Sequence, residues 1–515
     1  MEGAYQRTGK SLHNSVVALI IQVLSLLLGF FSRKVFLDYL GAEVLGLNTT
    51  ASSLLNFLNL AELGIGNAVA FSLYRPLYDG DKNKIQEILA LQGWLYRRVA
   101  FFILGASAVA MCFFGRIFTK MGDLPMSYAY GSFIVLLFSA MLGYFVNYKQ
   151  AVLTADQKDY KVQINYRLTM VVKVLFQMVA VIFLPHPYLW WLVVEALFAV
   201  IASWLLQRSV VREYPYLKER RRVNRDTLRK YPDVITKIKQ LFIHKVGFYA
   251  TVQITPLLIY AYTSFRDVGY YGNYMVLIYS LTAILTALFA SSTASVGNMI
   301  AEGNRDLILK VYRELFSARF FLMAFSCVVL WFLASPFITH WLGAEYLLPN
   351  RTLLLMILVF YLTNMYTVTE IYINASGLFS DVWSTIVQII IFLALAVLLG
   401  SRMGLDGVLL ASVVQLTLLT VLWRPWFLFH RGIQQRYTHY VGLYLKLLVL
   451  GAVAIAAGAL LIRLLPWDPT AGIGTFLLYA LVVCAVFALL LYGILYLCEP
   501  SMRGFTQRIF KIIRR

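Results

Sequence analysis

The stretch GIGTFLLYALVVCAVFALLLYGILYL, residues 472–497, contains no charged side chain. About 20 mostly apolar residues in a helix are enough to cross the hydrocarbon core of a bilayer. In that medium the backbone must satisfy its own hydrogen bonds, so a spanning segment of this length and composition reads as a helix. The same reading extends outward over the whole chain. Its 515 residues are 60% hydrophobic and only 14% Asp, Glu, Lys or Arg, against about 25% in a soluble protein. Soluble enzymes and nucleic-acid binders are excluded on that ground.

Fourteen candidate spans follow, at residues 13–37, 45–74, 88–115, 128–149, 161–184, 188–210, 241–262, 270–300, 315–340, 352–374, 381–400, 406–429, 441–464 and 472–497. The second is rich in Asn, Ser and Thr, and the seventh carries Pro256. Residues Met1 to Lys10 lack a signal-peptide pattern, so the first helix reads as a retained anchor. The expected fold class is an all-α polytopic membrane protein of about 14 transmembrane helices: two six-helix lobes plus two C-terminal helices.

Charge supplies the orientation. The chain holds 45 Lys and Arg against 25 Asp and Glu, a net charge of +20. With the N-terminus in the cytoplasm, the outer segments hold only Arg33, Lys34, Arg116, Lys120, Arg266, Arg351, Arg402 and Arg463. Most of the remainder is cytoplasmic, as the positive-inside rule requires. An even number of spans brings the basic C-terminus, with Arg503, Arg508 and Lys511, to the same side.

The largest basic block, with Arg220, Arg221 and Arg222, falls near the middle of the chain and suggests a linker between halves. An internal repeat agrees with it. Leu45-Gly46 is matched by Val268-Gly269, and Gly80-Asp81-Lys82 by Gly303-Asn304-Arg305, both at an offset of 223. Asp79 matches Glu302 and Ile85 matches Ile308 at that offset. The expected domains are an N-terminal six-helix lobe at 1–211, a basic cytoplasmic linker at 212–240, a second six-helix lobe at 241–430, and residues 431–515 with two extra spans and a basic tail. Both lobes would have the same orientation, a parallel repeat.

Motifs for chemistry are few. The chain has no P-loop, no H-E-x-x-H and no Gly-rich dinucleotide fingerprint. Cys112, Cys327, Cys484 and Cys498 lie far apart and read as buried small hydrophobes. The six histidines show no metal spacing, and His186 sits in a Pro-His-Pro turn. Sequons at Asn48, Asn350 and Asn374 read as chance matches. No catalytic residue, metal site or cofactor is expected.

Ionisable residues inside spans are more informative, because each costs about 2.5–3.5 kcal/mol at a helix centre on insertion scales. Lys173 lies about 12 residues into its span, roughly 18 Å deep at 1.5 Å per residue. That depth points to a cavity or a Glu partner. Arg97, Arg98, Arg167 and Arg319 divide between snorkelling to the inner headgroups and lining a cavity. Arg33 and Lys34, in the outer third of the first span, divide between anchoring and the cavity. Glu62, Glu195 and Glu370 are candidates for ion coupling or internal ion pairs. Cations outnumber acids within the first half's membrane layer, which suits an anionic substrate. Tyr361, Tyr366 and Tyr372 recur on one span, where stacking on sugar rings competes with simple packing.

Gly29 through Gly41, Gly46-Leu47, Ala61-Glu62-Leu63-Gly64-Ile65-Gly66 and Tyr74-Arg75-Pro76-Leu77 together resemble Wzx-type polysaccharide flippases. These belong to the multidrug/oligosaccharidyl-lipid/polysaccharide exporter superfamily. The motif match covers about residues 10–90, and the span count and mid-chain basic loop extend the likeness over the full length. The resemblance implies a flippase that moves undecaprenyl-diphosphate-linked oligosaccharide repeat units from the inner to the outer leaflet by alternating access between the lobes. In it Arg33, Lys34, Arg97, Arg98, Arg167 and Lys173 would neutralise the diphosphate. The last two helices would hold the lipid tail. Related lipid II flippases carry an arginine and an acid on the first helix, whereas Ser32-Arg33-Lys34 has the arginine without the acid. The implied location is the bacterial cytoplasmic membrane, with both termini inside. The implied partners are the lipid-linked oligosaccharide, membrane lipids, a polysaccharide polymerase and other assembly proteins. No nucleic acid is among them, and a monomer is expected.

The diphosphate carries about two negative charges, each worth about 2.3 kcal/mol per 100 mV, so an inside-negative potential favours outward movement. Two alternatives stand beside this reading. A drug/cation antiporter of the same superfamily should have an acidic or apolar cavity. A membrane-embedded polymerase, ligase or glycosyltransferase should carry a sizeable outer loop, and the outer loops here are short.

Overall fold

A computed structural model describes residues 2–59, 65–118, 124–156, 158–218, 252–290, 296–297, 299–300, 302–376, 378 and 381–513. Regular structure among them is helical throughout. Nine of the described helices are long and apolar enough to cross a membrane, and the chain is an all-α, multi-pass membrane protein. Glu62 and the basic triplet Arg220–Arg222 lie outside the described residues, as does most of the 212–240 linker. Two compact units divide the chain, Met1–Gly269 and Tyr270–Arg515.

The first unit contains α1 (Glu2–Leu58), α2 (Ile65–Asp79), α3 (Lys82–Cys112), α4 (Met126–Phe145), α5 (Asp159–Phe183) and α6 (Pro187–Glu213). The first two predicted spans meet inside α1, at a kink where Gly41 has φ 81° and ψ 167°. A residue with a side chain would be strained at that φ. Beyond the kink the helix passes close to residues 265–269. A Cβ on Gly46 would lie 1.8 Å from the Phe265 carbonyl oxygen, and one on Gly269 would lie 2.6 Å from that of Ala42. Residues 42 and 265 are themselves 223 apart, so the approach is reciprocal under the repeat. Small residues allow such backbone contact between helices in lipid, where packing replaces the hydrophobic effect.

Asn48 on α1 joins three helices. Its Oδ1 accepts from the Ser132 hydroxyl of α4 at 2.5 Å and from the Tyr188 hydroxyl of α6 at 2.9 Å. The sequon there is therefore occupied by a structural side chain. Helix α4 ends after Phe145, and the chain continues through a 3-10 turn at Asn147–Gln150 and a short helix at Ala151–Ala155. Helices α5 and α6 then form an antiparallel pair, turning through His186 at φ 56° into Pro187 at the first turn of α6.

The second unit contains α7 (Phe265–Ala290, shared across the boundary), α8 (Arg305–Trp341), α9 (Asn350–Met365), α10 (Thr367–Ala375), α11 (Val382–Met403), α12 (Leu405–Leu416), α13 (Thr438–Arg463), α14 (Ile473–Cys498) and α15 (Pro500–Ile513). Helix α9 breaks at Tyr366, so one predicted span becomes two helices. After α12 the helix widens to π geometry over Thr417–Trp423 and Leu428–Ile433. The two trailing spans pack through glycines: Gly451 of α13 against Phe320 of α8, and Gly458 against the buried Phe487 of α14.

The basic tail is helical. Helix α15 docks on α8 through Arg508, 2.7 Å from the buried Glu314. At its start Glu499 is buried, with Lys446 at 2.9 Å and Arg313 at 3.9 Å. Burial pushes the Glu499 carboxyl up, yet hydrogen bonds from Lys446 and Ser501 bring it below the ordinary value.

The repeat has a local signature. Gly80 and Gly303 have φ of 69° and 75°. The following Asp81 and Asn304 cap the next helices, accepting from the backbone N–H of Lys84 at 3.0 Å and of Leu307 at 3.1 Å. Such caps contribute about 1 kcal/mol each. The thiols depart from their expectation: Cys112 and Cys498 are exposed, at helix ends, rather than buried.

Candidate functional site

Lys173 sits midway along α5 and faces Glu195 of α6. Its Nζ donates to both carboxylate oxygens at 2.9 Å. Gln177 is one turn further along α5, on the same face because it lies at i+4. Its Nε2 donates to Glu195 Oε2 at 2.9 Å and to the Trp191 carbonyl at 3.3 Å. A single α5 face thus supplies a cation and an amide to one carboxylate.

The pair opens into a cavity of about 140 Å³ inside the first unit. Helix α5 lines it with Tyr166, Thr169, Met170 and Lys173. Helix α6 contributes Glu195, Phe198, Ala202 and Ser203, while Ser139 and Asn147 come from α4 and the turn after it. The Asn147 amide donates to the Ser203 hydroxyl at 3.0 Å, and its buried Oδ1 has no partner among the described residues. Side chains of Lys173 and Glu195 remain about one-fifth exposed, at 19% and 21%. Exposed charges at this depth require a polar filling, because hydrocarbon would penalise both.

The other predicted residues are dispersed. Arg33 is partly buried on α1, one turn before Phe36, whose ring meets Trp191 edge-on at 4.7 Å. Lys34 is exposed, 3.8 Å from Asp38. Arg98 is exposed, with its guanidinium over the Trp94 ring at 3.7 Å, and Arg97 is half-buried. None of these four lines the cavity. The side chain of Arg167 lies outside the described residues.

Arg319 neither snorkels nor reaches a cavity. It is fully buried. Its Nε donates to the Asn364 carbonyl at 3.0 Å, Nη1 to the Leu285 carbonyl at 3.1 Å, and Nη2 to Thr367 Oγ1 at 3.2 Å. The Phe289 ring lies 4.9 Å from the guanidinium. These partners are neutral, and two of them, Asn364 and Thr367, flank the break between α9 and α10. The planar fork of a guanidinium can reach several oxygens at once.

Glu370 is exposed on α10, within electrostatic reach of Arg424. Arg424 stands over the Tyr366 ring at 4.8 Å and donates to Gln388 Oε1 at 3.2 Å. Tyr372 is fully buried, edge-on to Tyr312 at 5.1 Å, so it is a packing residue. Three participants escaped the sequence reading. Gln177 had a usable signal in its i+4 spacing from Lys173. Asn147 and Arg424 had none, because a polar residue near a span end looks like an ordinary interfacial one. Among the described residues no cluster of His, Cys, Asp and Glu fits a metal ion.

No protein-family model matches the chain, and no curated protein does. Solved structures do. A lipid II flippase, MurJ, in an inward closed conformation is similar with a TM-score of 0.64 and 14% identity, covering 93% of this chain and 99% of that one. A multidrug-resistance MATE family transporter of the MOP superfamily is similar in its inward-facing conformation, with a TM-score of 0.57, 13% identity, and coverage of 79% and 97%. An outward-facing MATE transporter gives 0.52, 13%, 81% and 93%. The chain therefore has the fold of MOP-superfamily transporters and flippases.

Proposed function

We infer that this protein is a flippase for undecaprenyl-diphosphate-linked oligosaccharide repeat units, carrying them from the inner to the outer leaflet of the bacterial cytoplasmic membrane by alternating access. Both termini are assigned to the cytoplasm. The observation that carries the reading is a charge-matched pair, Lys173 and Glu195, opening at mid-span on a cavity that it shares with Asn147 and Ser203, in a fold that aligns with a lipid II flippase over 93% of the chain. An ionisable pair retained at that depth marks a pathway for something polar.

Arg33, Lys34, Arg97, Arg98 and Arg167 are the proposed neutralisers of the diphosphate. Lys173, matched by Glu195, adds polarity to the pathway without net charge. Glu62 and Glu370 are assigned to internal pairing or coupling. A polysaccharide polymerase and other assembly enzymes are the proposed partners of a monomeric flippase. The MATE likeness supports a second reading, a drug/cation antiporter, which the excess of embedded Lys and Arg disfavours.

Deletion of the gene should leave lipid-linked repeat units in the inner leaflet and strip the surface polysaccharide. Arg33→Glu and Lys173→Glu at equal expression should each fail to restore it. Full restoration by both, or efflux of a cationic dye by the unaltered protein, would sink the reading.

A further inference from the structure

The cavity among α4, α5 and α6 combines three properties. It is rich in donors and acceptors, with the Lys173 ammonium, the Glu195 carboxylate, the Ser203 hydroxyl and the unpartnered, buried Oδ1 of Asn147. It has no net charge, because Lys173 and Glu195 cancel at 2.9 Å. It is flanked by two aromatic rings, Tyr166 and Phe198.

A diphosphate does not suit such a place. The single cation is held on both sides by a carboxylate, and Glu195 would repel the incoming charge. An apolar ligand would leave the pair and Asn147 Oδ1 unsatisfied in a low-dielectric layer. Water alone fits by volume. It does not need the aromatic walls. A neutral ring with hydroxyls around its edge and C–H groups on its faces satisfies all three properties at once. The hydroxyls donate to Glu195 and Asn147 and accept from Lys173, while a C–H face lies on an aromatic ring. At about 140 Å³ the space admits a single six-membered ring.

We propose that this cavity is a saccharide subsite that takes one uncharged pyranose ring, separate from the cations that meet the diphosphate. The assignment rests on the flippase reading only in supposing that the ring belongs to the lipid-linked substrate. Glu195 and Lys173 then have a second use. Held together when the cavity is empty, they shift their hydrogen bonds to sugar hydroxyls when it fills, with no proton exchanged and no charge exposed.

The test uses the full chain in lipid nanodiscs and saturation-transfer difference NMR with methyl glycosides of glucose, galactose and N-acetylglucosamine, and with inorganic pyrophosphate as competitor. Ala202→Phe fills the cavity from α6, and Ala199→Phe, one turn earlier, is a second filling variant should the first not fold. At least one glycoside should give a signal that falls at least five-fold in a folded filling variant and is unchanged by pyrophosphate. No glycoside signal, equal signal in the filled cavity, or displacement by pyrophosphate would overturn the subsite. Its fate is separable from that of the flippase reading. Translocation that persists with an unaltered sugar signal in Ala202→Phe removes the subsite alone. A cavity-dependent sugar signal without translocation of any lipid-linked saccharide removes the flippase alone.

Discussion

The two units repeat their backbone devices and differ in the polar chemistry they bury. Gly80 with Asp81 and Gly303 with Asn304 turn and cap their helices alike. From those caps onward, position 96 of α3 corresponds to position 319 of α8 at the same offset of 223. Both residues are buried against the broken end of a later helix. In the first unit Tyr96 meets Tyr144 edge-on at 5.6 Å, just before α4 ends. In the second, Arg319 holds Asn364 and Thr367 where α9 gives way to α10. The offset also carries Lys173 onto Ala396, which is buried and apolar. One unit thus buries a balanced ion pair beside a cavity, and the other a guanidinium among neutral oxygens. An embedded cation is not one kind of feature. Its neighbours decide whether it serves a ligand or a helix break.

Removing Arg319 should break this comparison hardest. Arg319→Met removes the guanidinium's hydrogen bonds to Asn364, Leu285 and Thr367, at about 1.5–3 kcal/mol each, and thermal unfolding of the purified protein should show the largest loss of any single variant. Arg319→Lys keeps the charge without the fork and should recover only part. Tyr96→Phe at the equivalent place keeps the ring contact with Tyr144 and should cost about 1 kcal/mol or less. Similar losses at the two positions would mean that they do the same job.

Breaking the ion pair comes next. Lys173→Met and Glu195→Gln should each destabilise by about 2 kcal/mol, below the 3–5 kcal/mol of a fully buried pair because both side chains keep some exposure. The double variant should cost clearly less than the sum, and a double-mutant cycle should return a coupling above about 1 kcal/mol. Simple additivity would mean that the two groups do not stabilise one another.

Much of this fold is legible in local sequence. Helical span length and charge bias are local properties, so the all-α membrane class and the glycine pairs of the repeat were readable from composition and spacing. Lys173 declared itself by depth. What stayed hidden was long-range. Glu195 is 22 residues from Lys173 and Asn364 is 45 from Arg319, and no period in the sequence links either pair. The break at Tyr366 has no proline or glycine beside it to announce it. The C-terminal helix passed for a basic tail because its contacts, Arg508 with Glu314, join opposite ends of the second unit.

The shared turns give a sharper test of the repeat. Gly80→Ala and Gly303→Ala should cost about 1–2 kcal/mol each, since both positions need positive φ. Measured by thermal unfolding, the two values should agree; a cost at only one would remove the equivalence.

Acid should act on the second unit at Glu499, and weakly. Glu499 has its carboxyl lowered by Lys446 and Ser501 against the opposing effect of burial. Its contribution is therefore full above the ordinary Glu value of about 4.3 and is lost as pH falls through the lowered one. Hydrogen-exchange protection in α15, corrected for the intrinsic exchange rate, should fall below about pH 4 and stay flat above it, and Glu499→Gln should remove the dependence. Protection that falls on going alkaline would contradict the assignment.

Flipping is best measured with the purified protein. Reconstituted into liposomes with a lipid-linked oligosaccharide in both leaflets, the protein should expose the inner-leaflet pool to an externally added glycosidase, faster with the potential set negative on the side of its termini. Glu195→Gln should slow that exposure in folded protein. Exposure no faster than in empty liposomes would contradict the flippase assignment.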